Sequence, residues 1–492
     1  MGIIEKQATR NVVYSYLGVA LGFVTVMGFS HILKPDENGL TRILISLSAL
    51  FSQFASLGFN TVTVKLFPFF RDKDKQHHGY LFYGIMTTLA GFAVFCVLFF
   101  FFKESIIESN QEKSRLFADH LYYLLPLTFF SLFFNLFDNY LRACYISVIG
   151  SSSKDFTQRV LILFSLFLYF IKIISFSTFV LFYVIATCIP TLILLYYIIK
   201  FDQWHIRPVR GFISAELRKE MIQLCIFSIL SGSAGVLISN IDLIMVNQKL
   251  GLSETGIYGI AFYFGTIISI PARSLYRITS GIVSESFKTG DLRKINELYA
   301  KSCNSQLAIG LLLFIGVWAN IDNIMQLLPA EYESGRYVIL FISAGNLLDM
   351  GTGINGIILL TSRFYKYDAL FMLFVVIITI LTNYLLIPVY GITGSAIATA
   401  ITIGSYNLLR WLALFIKFGM QPYDFNIIKL ILIALLAFLP GYYIPLLNNL
   451  YIDITIRSSV ICLLFILLML KTEASPELNN KIRKNLHHLR IK

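Results

Sequence analysis

Apolar residues in this chain come in runs of roughly 20 with short polar stretches between them, from near the first residue to near the last. A run of about 20 residues, rising 1.5 Å each as an α-helix, crosses a hydrocarbon core about 30 Å thick. Fourteen spans are predicted, at 10–33, 41–64, 79–102, 117–141, 157–171, 174–199, 221–247, 256–281, 298–319, 335–361, 368–388, 391–416, 427–446 and 454–470. The fifth is short. The expected fold class is therefore all-α and integral to a membrane. The opening "MGIIEKQATR" runs straight into the first span without a small-residue cleavage motif, so no cleaved leader is expected.

The polar stretches give direction. With the N-terminus inside, Lys and Arg in the inner segments outnumber those in the outer segments by about three to one, the usual positive-inside bias. Both termini are expected in the cytoplasm. The net charge of +12 then needs no nucleic acid, because basic inner loops face anionic lipid.

Composition narrows the function classes. The chain is 57% hydrophobic and only 14% charged, against about 25% charged in soluble domains. Every loop is short, so neither an extracytoplasmic domain nor a nucleotide-binding module is expected, and no cofactor. The seven histidines show no metal spacing, and His77-His78 and His487-His488 read as solvated flanks. The six cysteines form no CxxC pair and read as small buried hydrophobes. Most of the 44 Phe and 27 Tyr read as packing or lipid-facing, with some available to stack on sugar rings.

The sequence also repeats at an offset of 217. "ILKPDENGLTRI" (32–43) lies over "KLGLSETGIYGI" (249–260), matching Leu33 with Leu250, Glu37 with Glu254, Gly39 with Gly256 and Ile43 with Ile260. Without a gap, "FRDKD" (70–74) lies over "FKTGD" (287–291), and "IKF" (199–201) over "IKF" (416–418). The expected units are a six-helix lobe at 1–201, a linker at 202–226, a second six-helix lobe at 227–418, and two further helices with a basic tail at 419–492. Six spans is an even number, so the copies are parallel. Transporters built from repeats bind substrate between the halves and alternate access by rocking them.

This 6+6+2 layout resembles the multidrug/oligosaccharidyl-lipid/polysaccharide exporter superfamily. The stretch "DLIMVNQKLGLSETGIYGIAFYFG" (242–265) resembles the signature of its polysaccharide branch, with "HILKPDENGL" (31–40) as the matching element after the first span. The resemblance implies a flippase of the Wzx type in a bacterial cytoplasmic membrane. Such a protein moves an undecaprenyl-diphosphate-linked oligosaccharide to the outer leaflet for O-antigen or related polysaccharides. It implies membrane lipids, a glycan polymerase and a chain-length regulator as partners. By analogy with lipid II flippases, the last two helices would hold the lipid tail, and Asp242 and the arginines of the eighth span are candidate site residues.

Setting aside charges near the span ends, six charges stand clearly within the predicted spans: Asp138, Asp242, Arg273, Arg277, Asp349 and Arg410. Each is costly unless it faces protein or water, so each is a functional candidate. Arg273 and Arg277 share a helix face, and paired guanidinium forks match phosphate oxygens. Their depth, roughly 26 Å and 32 Å from Gly256, also permits snorkelling. Their repeat counterparts are Ser56 and Asn60, so the helix does not need charge there. Asn346, Asp349 and Gly353 share a face; they can meet sugar hydroxyls, a proton or a cation, or simply bond helix to helix. Asp242 can pair with an arginine, titrate as a coupling or gating acid, or accept interhelical bonds. Asp138 and Arg410 read as boundary residues.

Two other readings remain at this stage. An ion-coupled multidrug exporter of the same superfamily would favour cations and carry more acids. A membrane glycan polymerase would carry a long outer loop.

Overall fold

The computed structural model describes residues 3–490 except Lys73 and Arg210. Within that range, the side chains of 3–13, Ser15, Tyr16, Leu230, Ser231, Arg273, Ser274, Arg277, Ile278 and 485–490 lie outside the described residues. His487-His488 fall in that last group. Among the described residues every regular element is helical. They form two compact units, 1–259 and 260–492.

The first unit opens with α1 (Ile3–Ile32) and α2 (Pro35–Ala55). Proline at the first position, Asp36 and Glu37 in the first turn, and Glu37 accepting from the Lys34 N–H at 3.0 Å start α2 by familiar N-terminal chemistry. The expected second span breaks after Ala55. Leu57 (φ 47°) and Gly58 (φ 77°) adopt left-handed backbone, and α3 (Phe59–Phe70) leaves at a bend of 51°. Helices α4 (Tyr80–Asn110), α5 (Arg115–Asp119) and α6 (Leu124–Ala143) follow. The expected short fifth span is longer and interrupted. It comprises α7 (Val148–Ser152), a π turn at Ser153–Thr157 and α8 (Gln158–Phe170). Then come α9 (Phe176–Lys200), α10 (Ala215–Leu250) and the start of α11 (Leu252–Thr266). Phe29, Leu44, Leu127 and Phe179 centre one core, and Phe67, Phe70, Tyr80 and Tyr140 another.

His77 and His78 are not solvated, contrary to the sequence reading. Both are buried. The backbone from Gln76 to Gly79 is left-handed throughout. That conformation turns His77 Nε2 to within 2.9 Å of Gln203 Oε1, and stacks His78 on Phe212 with ring centroids 3.6 Å apart. Gln203 and Phe212 thus lie against these rings, which a flat hydropathy profile does not reveal.

The second unit contains α12 (Ile270–Thr289), α13 (Leu292–Ala319), α14 (Ile321–Gln326), α15 (Arg336–Gly351), α16 (Asn355–Thr361), α17 (Tyr365–Phe418), α18 (Phe425–Tyr443), α19 (Leu450–Thr472) and α20 (Pro476–Arg490). Between α15 and α16 the axis bends by 55° at Gly353 (φ 59°). Within α17, Gly391 (φ 58°, ψ −139°) breaks the helical path, where the sequence reading separated two spans. The amphipathic α20 was not anticipated as a helix.

Among the described residues nine helices are long and apolar enough to cross a membrane, or eleven where each bent pair counts as one span. That is fewer than the fourteen expected. The α17 segment counts as one helix despite Gly391, the described apolar part of α1 is Leu17–Ile32, and α8 has 13 residues.

Candidate functional site

The break between α2 and α3 shapes a polar cavity in the first unit. Ser56 stabilises the break itself. Its hydroxyl donates to the Gln53 carbonyl at 2.7 Å and accepts from the Gly58 N–H at 3.3 Å. Beyond the bend, Asn60, Thr61 and Lys65 of α3 turn into the same space as Ser48, Ser52 and Gln53 of α2. The π turn does the equivalent on the opposite wall. An extra residue in a helical turn re-aims the side chains it carries, and Lys154 faces the cavity from it, with Nζ 4.8 Å from the Phe134 ring centre. Asn135 and Asn139 of α6, Gln158 of α8 and Ser228 of α10 complete the polar lining. The volume is about 600 Å³.

The lining contains two ammonium groups, many hydroxyls and amides, and the rings of Phe130 and Phe134. Among the described lining residues there is no carboxylate. The nearby Asp138 is held by Arg142 at 2.8 Å, and α7 approaches it so closely at Gly150 that a Cβ there would overlap the carboxylate. Chemically, this space suits an anion with a polyhydroxylated appendage.

Of the residues singled out in the sequence, Asn60 lines this cavity and Ser56 does not. Asp242 is buried in the same unit and accepts from the Tyr258 hydroxyl at 3.4 Å. The Arg273 and Arg277 side chains lie outside the described residues; both positions fall on α12. In the second unit, Asn346 donates to the Ile342 carbonyl at 2.8 Å and the Gly265 carbonyl at 3.4 Å. Asp349 accepts from Asn407 at 2.9 Å and from Tyr276 at 3.4 Å.

Arg410 is more than a boundary residue. It reaches Asp368 at 2.7 Å and the Tyr406 hydroxyl at 2.7 Å, and lies 3.7 Å over the Tyr406 ring. Gly356 leaves room for the guanidinium, since a Cβ would come within 2.8 Å of it. Asn407 also bonds Asn355 and accepts from Thr352, so the carboxylates Asp349 and Asp368 belong to one polar cluster with a single described guanidinium.

Sequence reading missed Lys65 and Lys154 because it counted them as loop charges. The available signal was Gly58 after an apolar run, a residue suited to left-handed backbone, which would have turned the following residues. Nothing in the one-dimensional pattern marks the π turn.

Comparisons with solved structures show the fold. A lipid II flippase, MurJ, in an inward closed conformation has 13% identity and a TM-score of 0.74, over 93% of this chain and 97% of that one. An inward-facing multidrug resistance MATE family transporter of the MOP superfamily has 12% identity and a TM-score of 0.65, over 83% and 98%. A MOP superfamily transporter from Pyrococcus furiosus, described as having reversed binding-pocket polarity, has 12% identity and a TM-score of 0.57, over 85% and 96%. No curated protein matches the sequence. The family model described as polysaccharide biosynthesis protein matches residues 6–275, more than half of the chain, so this multi-pass membrane protein belongs to the polysaccharide biosynthesis protein family.

Proposed function

We propose that the chain is a flippase for an undecaprenyl-diphosphate-linked oligosaccharide repeat unit, acting by alternating access in the bacterial cytoplasmic membrane with both termini inside. The observation that carries this reading is the cavity of the first unit, with its two lysines, its hydroxyl and amide lining and its lack of a described carboxylate. A lipid diphosphate brings about two negative charges, and ammonium groups in a site partly shielded from water attract them more strongly than they would in bulk solvent. Ser, Thr, Asn and Gln side chains offer both donors and acceptors to sugar hydroxyls, and Phe130 and Phe134 offer apolar faces to sugar rings.

In this cycle the headgroup enters from the inner leaflet and the diphosphate meets Lys65 and Lys154. Arg273 and Arg277 of the second repeat are further candidates for a phosphate contact, and Ser56, Asn60, Asn346 and Asp349 for contacts with the glycan. The polyprenyl tail stays in lipid. Asp242 and the Asp349 cluster are the candidates for coupling or gating. A cavity of this polarity is a poor host for a cationic drug, which weighs against the multidrug reading. The MurJ name adds that a protein of this fold is a lipid II flippase.

The test is reconstitution into liposomes with labelled undecaprenyl-diphosphate oligosaccharide. Protein-dependent flipping that falls in Lys65→Ala and Lys154→Ala is expected. Absence of flipping under every ion gradient, with efflux of a cationic drug instead, would reverse the reading.

A further inference from the structure

The polar cavity ends short of a contact between the two sequence repeats. Helix α2 lines it from Ile45 to Gln53, and α10 lines it from Ser228 to Val236. Further along, the start of α2 meets the start of α11, where Asn38 (0% exposed) donates to the Gly256 carbonyl at 3.2 Å. The connection between α4 and α5 then crosses the corner between α10 and α11. Lys113 Nζ donates to the Lys249 carbonyl at 2.9 Å. Ser114 Oγ donates to Asn247 Oδ1 at 3.0 Å, and Asn247 Nδ2 donates to Asn110 Oδ1 at 3.4 Å. The corner turns on Gly251 (φ 97°), and a Cβ on that residue would lie 2.6 Å from the Lys113 carbonyl oxygen.

Resting on the proposed function and its orientation with both termini inside, we infer that residues 110–114 are a strap that latches the α10–α11 corner. The strap closes the glycan path at its outer end, and it releases when the glycan leaves. Three observations point to a latch that opens. The strap belongs to the first repeat and the corner to the second. Where transporters are built from repeats that rock against each other, the contacts between repeats at one end are those the motion must break.

The second observation is the chemistry of the closed surfaces. Ser114 is 1% exposed and Asn247 is 5% exposed, so hydroxyl and carboxamide groups are buried against each other at an end that faces water once it opens. Parting an apolar seam would expose hydrocarbon to water. Polar partners instead exchange each other for water at a small net cost.

The third observation is a pivot at the far end of the cavity. There the Thr61 and Ser228 hydroxyls are 2.5 Å apart, and a Cβ on Gly58 would overlap the Cys225 carbonyl oxygen. From Cys225 to Asn247 the helix α10 runs about 33 Å, so a tilt of about 10° about this contact moves the corner by about 6 Å. That displacement breaks every hydrogen bond of the strap.

The experiment uses the full chain in two measurements. Ser131→Cys places a thiol in the cavity wall, and a membrane-impermeant maleimide is applied to sealed membranes from one face at a time, with labelling read by peptide mass spectrometry. Adding Ser114→Ala/Asn247→Ala is expected to raise labelling of that thiol from the outer face several-fold, while the buried Cys188 stays at the parent level, as it does in a folded chain. In proteoliposomes, Ser114→Cys/Asn247→Cys bridged by a short bismethanethiosulfonate is expected to stop flipping of labelled undecaprenyl-diphosphate oligosaccharide, and dithiothreitol to restore it. Each single-cysteine chain treated in the same way should flip as the parent does.

Unchanged outer labelling in the alanine variant, or a rise from the inner face instead, would overturn the inference. So would flipping that continues in the bridged chain. The outcomes also separate the two readings. Raised outer labelling in a protein that flips nothing would leave the strap standing and remove the flippase. Undiminished flipping in the bridged chain would do the reverse.

Discussion

Gly39 and Gly256 stand 217 positions apart in the sequence, and their backbones touch. A Cβ built on Gly39 would overlap the carbonyl oxygen of Leu252 and lie 3.2 Å from the Gly256 nitrogen. One built on Gly256 would overlap the carbonyl of Pro35 and lie 3.0 Å from the Gly39 nitrogen. Pro35 and Leu252 are themselves offset by 217, so the contact is reciprocal, as an internal two-fold relation produces. Asn38 adds a hydrogen bond to the Gly256 carbonyl at 3.2 Å. Only glycine allows two helix starts to meet this closely. Gly39→Val and Gly256→Val are expected to separate them, with a cost of about 1–3 kcal/mol from overpacking and at least a tenfold fall in flipping. Gly316→Ala is the control. No atom lies within 4 Å of a Cβ there, and a mid-helix Gly→Ala change is stabilising by roughly 0.5–1 kcal/mol. Equal activity in all three variants would separate this contact from transport.

Lys65→Ala and Lys154→Ala are each expected to lower the liposome flipping rate by about tenfold, or about 1.4 kcal/mol of lost interaction with the anion. The double variant is expected to lower it further. Lys65→Arg retains the charge and should keep most of the activity. Arg273→Ala, measured at the same protein level, tests whether the second repeat adds its own phosphate contact; unchanged flipping would remove it from the site. The readout that separates binding from folding is the salt dependence of headgroup binding, which should flatten as each cation is removed.

These lysines also show what the chain discloses before it folds. Span after span is legible, because burial in hydrocarbon demands helices of a certain length and composition. The buried Asp242 and the interhelical bonds of Asp349 were legible as costly charges in apolar runs. The cavity was legible only through Asn60. Its cations arrive through two local departures from ideal helix, the left-handed pair Leu57-Gly58 and the π turn at 153–157. Neither changes hydropathy, so Lys65 and Lys154 looked like ordinary inner-loop charges. Asp368 and Arg410 were separated for a related reason. They are 42 positions apart, and each sits at a span edge where a charge needs no explanation until its partner is seen.

The second-unit cluster predicts an asymmetry between its carboxylates. Asp349 accepts from Asn407 and Tyr276, so Asp349→Asn keeps a polar group of the same shape and should fold normally. If Asp349 takes part in coupling, flipping in that variant loses its response to an imposed proton or sodium gradient while gradient-independent exchange persists. Asp368→Asn removes the counter-charge of Arg410 in a buried setting. It is expected to lower thermal stability measurably whatever the gradient. Matching gradient dependence in Asp349→Asn and the parent protein would leave Asp349 as an interhelical bond only.

The last prediction concerns a pair at the start of the last predicted span. Asp453 and Arg457 lie four apart on α19, and both are almost wholly buried, 0% and 3% exposed. Their separation is 3.1 Å. Asp453 also accepts from Asn323 at 2.5 Å and from the Leu447 N–H at 3.2 Å. Arg457 donates to the carbonyls of Gly441 at 2.6 Å and Ile444 at 3.0 Å. Those carbonyls belong to the end of α18, interrupted by Pro440, and to the connection after it, so the guanidinium caps backbone that apolar surroundings could not satisfy. Removing one partner from a buried pair leaves an uncompensated charge, at a cost of about 3–5 kcal/mol. Asp453→Asn and Arg457→Met are therefore each expected to lower the melting temperature in detergent by several degrees. The paired variant Asp453→Asn/Arg457→Met should not recover fully, because the carbonyls of Gly441 and Ile444 still lack a donor. Full recovery would show that the ion pair, and not the capping of α18, is what Arg457 contributes. The pair lies outside the repeat and does not line the polar cavity, so flipping per folded molecule is expected to stay near the parent value in all three.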